Sequence, residues 1–382
     1  MAEILNKACI FGFRPQIEAT VSTSLWNGVQ NPDSVSYTEL PYNKDKSIPE
    51  YGMGMSETNS ITGGGLKKEH DRIYTDDSGL CSLPFEMDAT IETLGVHLGS
   101  AMQEVARSGY YTGTSPKTVV TDLFHSANVD LSNTVYNVSS TEATASGSVK
   151  YGWLQSILFG HPDREYLEML KNAVIDNLKF TVDFNKQGFD RSAKLSGAWK
   201  GTSIDSTSYE YADLTALTSR TKSYINRESK LNVSIVNITK NVTYSNVCIR
   251  NYELNINRNV TTDCKGSTNY ASNLKMNPSD TISLKLPYNT AGLNDSLIAD
   301  FRAGDIFTIT ISGNATNNTT VNWLSMHHHA RMNKQPIAYE GEYLALDLQF
   351  DVIKYNATSL TDCGIQINDN IANTDVNEFY IP

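Results

Sequence analysis

Between Leu344 and Val352 every second residue is apolar: Leu344, Leu346, Leu348, Phe350 and Val352 alternate with Ala345, Asp347, Gln349 and Asp351. A period of two places the first set on one face of an extended strand and the second on the other, so the segment has one buried side and one wet side. The pattern recurs. Tyr252, Leu254 and Ile256 alternate with Asn251, Glu253, Asn255 and Asn257, and Phe180, Val182 and Phe184 alternate with Thr181, Asp183 and Asn185. After a turn at Gly188, Leu195 and Trp199 stand against Lys194, Ser196 and Lys200, which completes a predicted β-hairpin with one apolar face. Charged residues make up only 19 % of the chain while Asn, Ser, Thr and Tyr are abundant, a mixture that suits sheets joined by polar turns. The expected fold class is mainly β with flanking helices.

At 382 residues the chain is long enough for a proper core and, at about 150 residues per domain, for roughly two to three domains. Lysine and arginine total 31 against 42 acidic residues, a net charge of −11 that disfavours a tight grip on phosphates. Cys9, Cys81, Cys248, Cys264 and Cys363 are odd in number and far apart, and read as reduced residues without a metal knuckle. The start, Met1 to Lys7, has no basic segment followed by an apolar run, and no stretch approaches ~20 consecutive apolar residues. The expectation is a soluble protein made in a cytoplasm, without membrane insertion. Asn-x-Ser/Thr triplets at Asn232, Asn237, Asn241 and Asn314 follow from composition.

Residues 27 to 80 are rich in Gly, Pro, Asn and Ser and predict a long loop. Cys81, Leu83 and Phe85 then alternate with Ser82 and Pro84, followed by a helical pattern of Ile91, Leu94, Leu98, Met102 and Val105 with Asp88 as its N-cap. A second helix is predicted from Asp163 through Tyr166, Leu167, Leu170 and Val174. The polar, Ser/Thr-rich stretch 206–229 reads as a linker between a first domain, 1–205, carrying the loop 42–79, and a second, 230–382. That second half repeats the layout. Ile282, Leu284 and Leu286 lead into Pro287-Tyr288 and a short helix holding Leu293, Leu297, Ile298 and Phe301, as Ser82-Leu83-Pro84-Phe85 leads into the earlier helix. Two tandem copies of one β-rich unit are the expectation, and chance resemblance between unrelated strands is the plainer alternative.

The residues with chemical potential have structural explanations. His327-His328-His329 invites a metal reading, but alternate strand residues face opposite ways and no nearby cysteine completes a ligand set, so a surface strand or turn is the simpler reading. Asp76-Asp77, Asp163 with Glu165, and Glu340 with Glu342 are explained by a turn, a helix amino terminus and strand polarity rather than by the paired acids of a glycosidase. Gly63-Gly64-Gly65 lacks the Lys-Ser/Thr that follows in a Walker loop, and no hydrolase elbow, zinc-protease helix or dinucleotide fingerprint occurs. No catalytic residue, metal site or cofactor is assigned. Lys67, Lys68, His70 and Arg72, diluted by Glu69 and Asp71, form either a solvated loop or a contact for an acidic surface of another subunit.

The long polar loop, the strand ending in Leu83-Pro84-Phe85, the helix after it and the one-faced hairpins together resemble the major tail tube proteins of tailed bacteriophages, whose fold also occurs in type VI secretion tubes. The resemblance covers most of the chain as architecture, without a diagnostic short motif. It implies a β-sandwich flanked by a helix, here in two tandem copies, in subunits that form stacked rings around a channel for DNA. The wet face of the hairpins would then line the channel: Thr181, Asp183, Asn185, Asn251, Glu253, Asn255, Asn257, Asp347, Gln349 and Asp351, with Lys194, Ser196 and Lys200 among them. An acidic lining repels phosphates within a Debye length of ~8 Å and lets DNA pass without adhering. The loop 42–79, with Lys67, Lys68, His70 and Arg72, would reach the adjacent ring and order on assembly. Two units per chain imply a trimeric ring of pseudo-sixfold symmetry, with a hexamer as the alternative. Further partners would be tail terminator and tail-tip or baseplate proteins, and the location a virion tail assembled in a host bacterium. Competing readings are another virion part, such as a capsid, terminator or baseplate protein, and a carbohydrate-binding or carbohydrate-active protein.

Overall fold

The computed structural model describes residues 10–15, 38–43, 45–50, 54–57, 72–75, 80–90, 93, 94, 97, 101, 105–107, 124–127, 136–138, 155–161, 166–186, 192–201, 203–205, 224–225, 231–244, 247–260, 274–276, 279–288, 293–317, 320–340, 343–353 and 364–368. The strands of the first half are β1 (Ile10–Pro15), β2 (Thr38–Leu40), β3 (Gly54–Glu57), β4 (Arg72–Thr75), β5 (Cys81–Asp88), β6 (Val105–Arg107), β7 (Phe124–Ala127), β8 (Tyr136–Val138), β9 (Gln155–His161), β10 (Tyr166–Asp183), β11 (Lys194–Gly201) and β12 (Ser203–Asp205). Those of the second are β13 (Asn232–Asn237), β14 (Val242–Tyr244), β15 (Asn251–Asn257), β16 (Leu274–Met276), β17 (Ser279–Pro287), β18 (Ile306–Asn317), β19 (Thr320–Met332), β20 (Ile337–Glu340), β21 (Tyr343–Val352) and β22 (Gly364–Asn368). One helix, α1 (Leu293–Ala303), follows β17, and residues 93, 94, 97 and 101 are helical after β5. The fold is mainly β, and the sheets are antiparallel.

The alternating segments join in the order β5, β11, β10, β15, β17, β21. Registers put apolar opposite apolar: Phe180 faces Leu195 on one side and Leu254 on the other, Leu254 faces Ile282, and Ile282 faces Phe350. All of these side chains are buried, each contributing roughly 1.5–3 kcal/mol, and a slip of one residue would turn the whole set outward. The core is shared. Leu83, Phe85 and Trp199 belong to the same buried cluster as Leu346 and Phe350, and the β10–β15 ladder joins strands from either side of residues 206–229. Within that stretch Ile225 is buried, its backbone bonded to Ala89 and Ala193.

The helix predicted from Asp163 to Val174 is corrected: Tyr166 onward is β10, an unusually long strand. Glu168, Met169, Leu170, Ala173, Val174 and Ile175 are all buried, so both faces of this half are covered, while β9 and β12 pair along its edges. A strand covered on both faces shows no alternation, and its apolar residues fall by chance at helical spacing. From Leu178 onward one face is wet and the period of two returns. A bulge between Ile175 and Asn177 separates the halves, and it brings the Asn177 carbonyl within 2.1 Å of where a Cβ on Gly197 would lie, which excludes a larger residue there.

The earlier helix starts later and ends sooner than predicted. Asp88 is the last residue of β5 and pairs with Lys194, the Leu94 amide bonds to the Thr90 carbonyl, and Val105 is already in β6. By contrast α1 matches its prediction: Leu297 is buried, Phe301 packs on the core, and Gly304, at φ 70°, ends the helix. The loop 42–79 contains a ladder between β3 and β4, and residues 43 to 50 run along β5, with Asn43 bonded to Glu86 and Glu50 to Ser82.

Seven strands of each half are wired alike. In the first, β1 pairs with β2 and β9, β9 with β10, β10 with β11 and β12, and β11 with β5. In the second, β13 pairs with β14 and β18, β18 with β19, β19 with β21 and β22, and β21 with β17. Charges reinforce their joint. The buried Arg258 binds both carboxylate oxygens of Asp280, at 2.6 and 3.3 Å, and its Nε donates to the Ala101 carbonyl of the first half. Its backbone amide donates to the Asp176 carbonyl at 2.7 Å. Arg258→Met strands a buried carboxylate and is expected to cost about 3–5 kcal/mol in urea or thermal unfolding. Unchanged stability would show that this pair does not secure the joint.

Candidate functional site

The residues that alternate with the buried rows form one polar sheet face. Thr181 stands opposite Glu253, Asp183 opposite Asn251, and Asn257 opposite Asn177 on β10. Across β17 the rows continue as Asn255, Thr281 and Asp351; Glu253, Ser283 and Gln349; Asn251, Lys285 and Asp347. On the far side Thr181 meets Lys194 and Lys179 meets Ser196, and β5 adds Asp88 and Glu86. Of the predicted channel-lining residues, Thr181, Asp183, Asn251, Glu253, Asn255, Asn257, Asp347, Gln349 and Asp351 therefore share this face, all partly or fully exposed. Asn185 lies beyond the strand, in a turn where its amide binds the Asp183 carboxylate at 2.9 Å.

The face is not the plain acidic surface that the sequence suggests. Lys179 pairs with Glu253 at 2.7 Å, Lys194 pairs with Asp88, Lys200 reaches Asp176 at 3.1 Å and Lys334 lies 3.4 Å from Asp347. Amides take up further carboxylate oxygens: Asn255 donates to Glu253 at 2.9 Å, Gln349 to Asp347 at 3.2 Å and Asn333 to Asp351 at 2.6 Å. Partial burial pushes the Glu253 carboxyl up, but the hydrogen bonds from Lys179 and Asn255 outweigh it and hold the group below the usual carboxylate range. Such exposed pairs add ~0–1 kcal/mol each to stability. Their main effect is to present a hydrophilic surface with its charges locally balanced.

Other predicted positions are placed apart from this face or lie outside the described residues. Arg72 is in β4 at a register opposite Glu57, whereas Lys67, Lys68 and His70 are outside the description, as are Asp76, Asp77, Asp163, Glu165 and Glu342. His327, His328 and His329 sit in β19, and the surface reading is corrected: His328 is 1 % exposed and His329 is also buried. His327 turns to Thr310 and Ser325, at 3.1 and 2.7 Å, while neither ring nitrogen of His328 has a hydrogen-bond partner.

Sequence reading missed a buried relay at the base of the long loop. Trp199 donates its indole N–H to the Tyr42 hydroxyl at 2.8 Å, and Tyr42 lies 2.7 Å from His97 Nε2. His97 Nδ1 lies 2.7 Å from the Thr93 carbonyl, which can only accept, so Nδ1 carries the proton and Nε2 accepts from Tyr42. Every polar atom is satisfied, and the helix, the segment 43–50 and β11 are locked together. Tyr42 also stacks on Phe85, with centroids 4.8 Å apart. Positions this distant in sequence carry no local signal of the contact. Near the end of α1, Lys240 bridges Asp300 and Asp305 at 2.5 and 2.8 Å and Tyr244 bonds Asp300, which fixes the turn after β13.

No protein-family model matches the chain, and no curated protein matches it in sequence.

Burial lowers the pKa of His97 to about 4 and that of His328 to about 3. Below pH ~6.5 the unfolded chain binds protons that the folded chain refuses, so this contribution is complete above that pH and is lost as pH falls toward these values. Urea midpoints are expected to drop between pH 7 and 4.5. His328→Leu is expected to remove about 2–3 kcal/mol of that drop, since each pKa unit is worth ~1.4 kcal/mol. Identical pH slopes for the two proteins would contradict the assignment.

Proposed function

We propose that the chain is a structural subunit that joins copies of itself, edge to edge, into rings stacked as the tail tube of a phage virion, with DNA passing along the polar sheet face. The observation that carries this reading is the β10–β15 ladder, a strand-to-strand joint between two halves with matching strand pairings. A joint between like units can be repeated between chains, and the repeat generates a closed ring when the rotation allows. Matched wiring supports two tandem tube units per chain, each a sandwich with its own helix, and favours a trimeric ring of pseudo-sixfold symmetry.

The chemistry of the face supports the conduit role. Asn, Ser, Thr and Gln keep it hydrated, while lysine–carboxylate pairs such as Lys179–Glu253 leave neither sign in large excess. A phosphate backbone gains little from such a wall, because affinity for DNA comes mainly from unpaired cations that displace counterions. The loop 42–79 is held at its base by Tyr42, and its part beyond β3 would span to the next ring and meet it through Lys67, Lys68, His70 and Arg72. Terminator and tail-tip proteins would close the ends.

Purified protein is expected to form long hollow filaments in negative-stain electron microscopy. Closed shells would point instead to a capsid protein. Monomers at every concentration, with measurable saccharide affinity, would overturn the assembly reading.

A further inference from the structure

We propose that the outer margin of β20 takes up β3 of a second copy of the chain in antiparallel pairing, extending the sheet head to tail as β15 extends it beside β10 within one chain. The inference rests on the tandem-unit reading above. It assigns the strands at the joint between chains.

Two prolines align the halves. Pro84 of β5 lies opposite Ala198 of β11, and Pro287 of β17 lies opposite Ala345 of β21. From Ala198 the ladder continues to Asn177, with Leu178 opposite Gly197 beside it. From Ala345 it continues to Ala338, with Tyr339 opposite Leu344 beside it. Strand β20 thus occupies the place held in the first half by the later part of β10. There the two halves differ. The other margin of β10 is bonded to β15, with Leu178 opposite Ile256, and Leu178 is only 2 % exposed. Among the described residues β20 has no partner on that margin; Tyr339 is 82 % exposed and Leu344 41 %. An apolar pair at the rim of a core, beside a strand margin that pairs with no described strand, suits the addition of one more strand.

The strand that fits is identified by the same alignment. In the second half β15 pairs with β17 through Asn251 and Lys285; in the first half Glu50 pairs with Ser82, the counterpart of Lys285 two positions before the proline. Counting on from Asn251 to Ile256 and equally from Glu50 reaches Met55, in β3. One margin of β3 is bonded to β4, and the other has no partner among the described residues. Inside the chain the β10–β15 joint already links the two halves, so the complementary margins, β20 at one end and β3 at the other, remain for a neighbouring copy. The contact is heterologous, with different surfaces on each side, as ring closure needs.

Paired cysteines test this in chains with the native Cys9, Cys81, Cys248, Cys264 and Cys363 changed to serine. Mild oxidation of a Met55→Cys, Tyr339→Cys chain is expected to give a covalent ladder on a non-reducing gel that ends at the trimer. Mixing the two single variants is expected to give dimers only, and neither variant alone should crosslink. Tyr339→Asp is expected to block assembly without lowering the melting temperature of the subunit. If the wild-type chain assembles but cysteine at none of Gly54, Met55, Ser56 or Glu57 joins Tyr339→Cys of another chain, this inference fails while the tube reading stands. A disulfide formed within one chain overturns it as well. Failure of the wild-type chain to assemble at all overturns both.

Discussion

The ladder between β10 and β15 is the constraint on which the rest of the structure depends. It runs from Asn177 to Asp183 against Asn257 to Asn251, and it is the longer of the two ladders, with β7–β22, through which backbone from the two halves joins one sheet. Its buried side sets Leu178 on Ile256, Phe180 on Leu254 and Val182 on Tyr252; its other side sets Thr181 on Glu253 and Asp183 on Asn251. Hydrogen bonding fixes the register, and the opposite character of the two faces forbids a slip of one residue. The Arg258–Asp280 pair, the Ala101 carbonyl and Asp176 then hold one end of the ladder in a polar clasp that reaches across both halves.

Once that joint exists, the polar face follows. Each strand that is apolar behind is hydrophilic in front, so β5, β11, β10, β15, β17 and β21 give one hydrated surface without any further specification. The lysines on it matter as much as the acids. Net charge of the whole chain, −11, misrepresents the local balance, because many of the face's carboxylates have a lysine or amide neighbour. In the proposed conduit this pairing, rather than plain repulsion, keeps DNA from adhering.

Legibility in the sequence tracked how each strand is covered. β15, β17 and β21 have one buried and one wet face, and their alternation was readable residue by residue, as was the β10–β11 hairpin. The amino-terminal part of β10 is covered on both faces, so Leu167, Leu170 and Val174 imitated a helix. The last turn of the first predicted helix failed because Val105, though apolar at the right spacing, is recruited by β7. Most of the candidate face was legible because it is the complement of the alternating rows. Its salt bridges were not, since they depend on which strands lie side by side. Trp199, Tyr42 and His97 met across long sequence separations, and His328 was misplaced at the surface because a histidine without polar partners is an uncommon choice for a core.

The central claim is that one chain supplies two equivalent wall segments to a closed ring. Cryo-electron microscopy of the assembled protein measures this directly. The account predicts threefold symmetry with a wall of nearly sixfold appearance, the Asn251–Asn257 and Asp347–Asp351 rows turned to the lumen. A map with true sixfold symmetry and a single wall segment per chain, or with these rows facing away from the lumen, would contradict it.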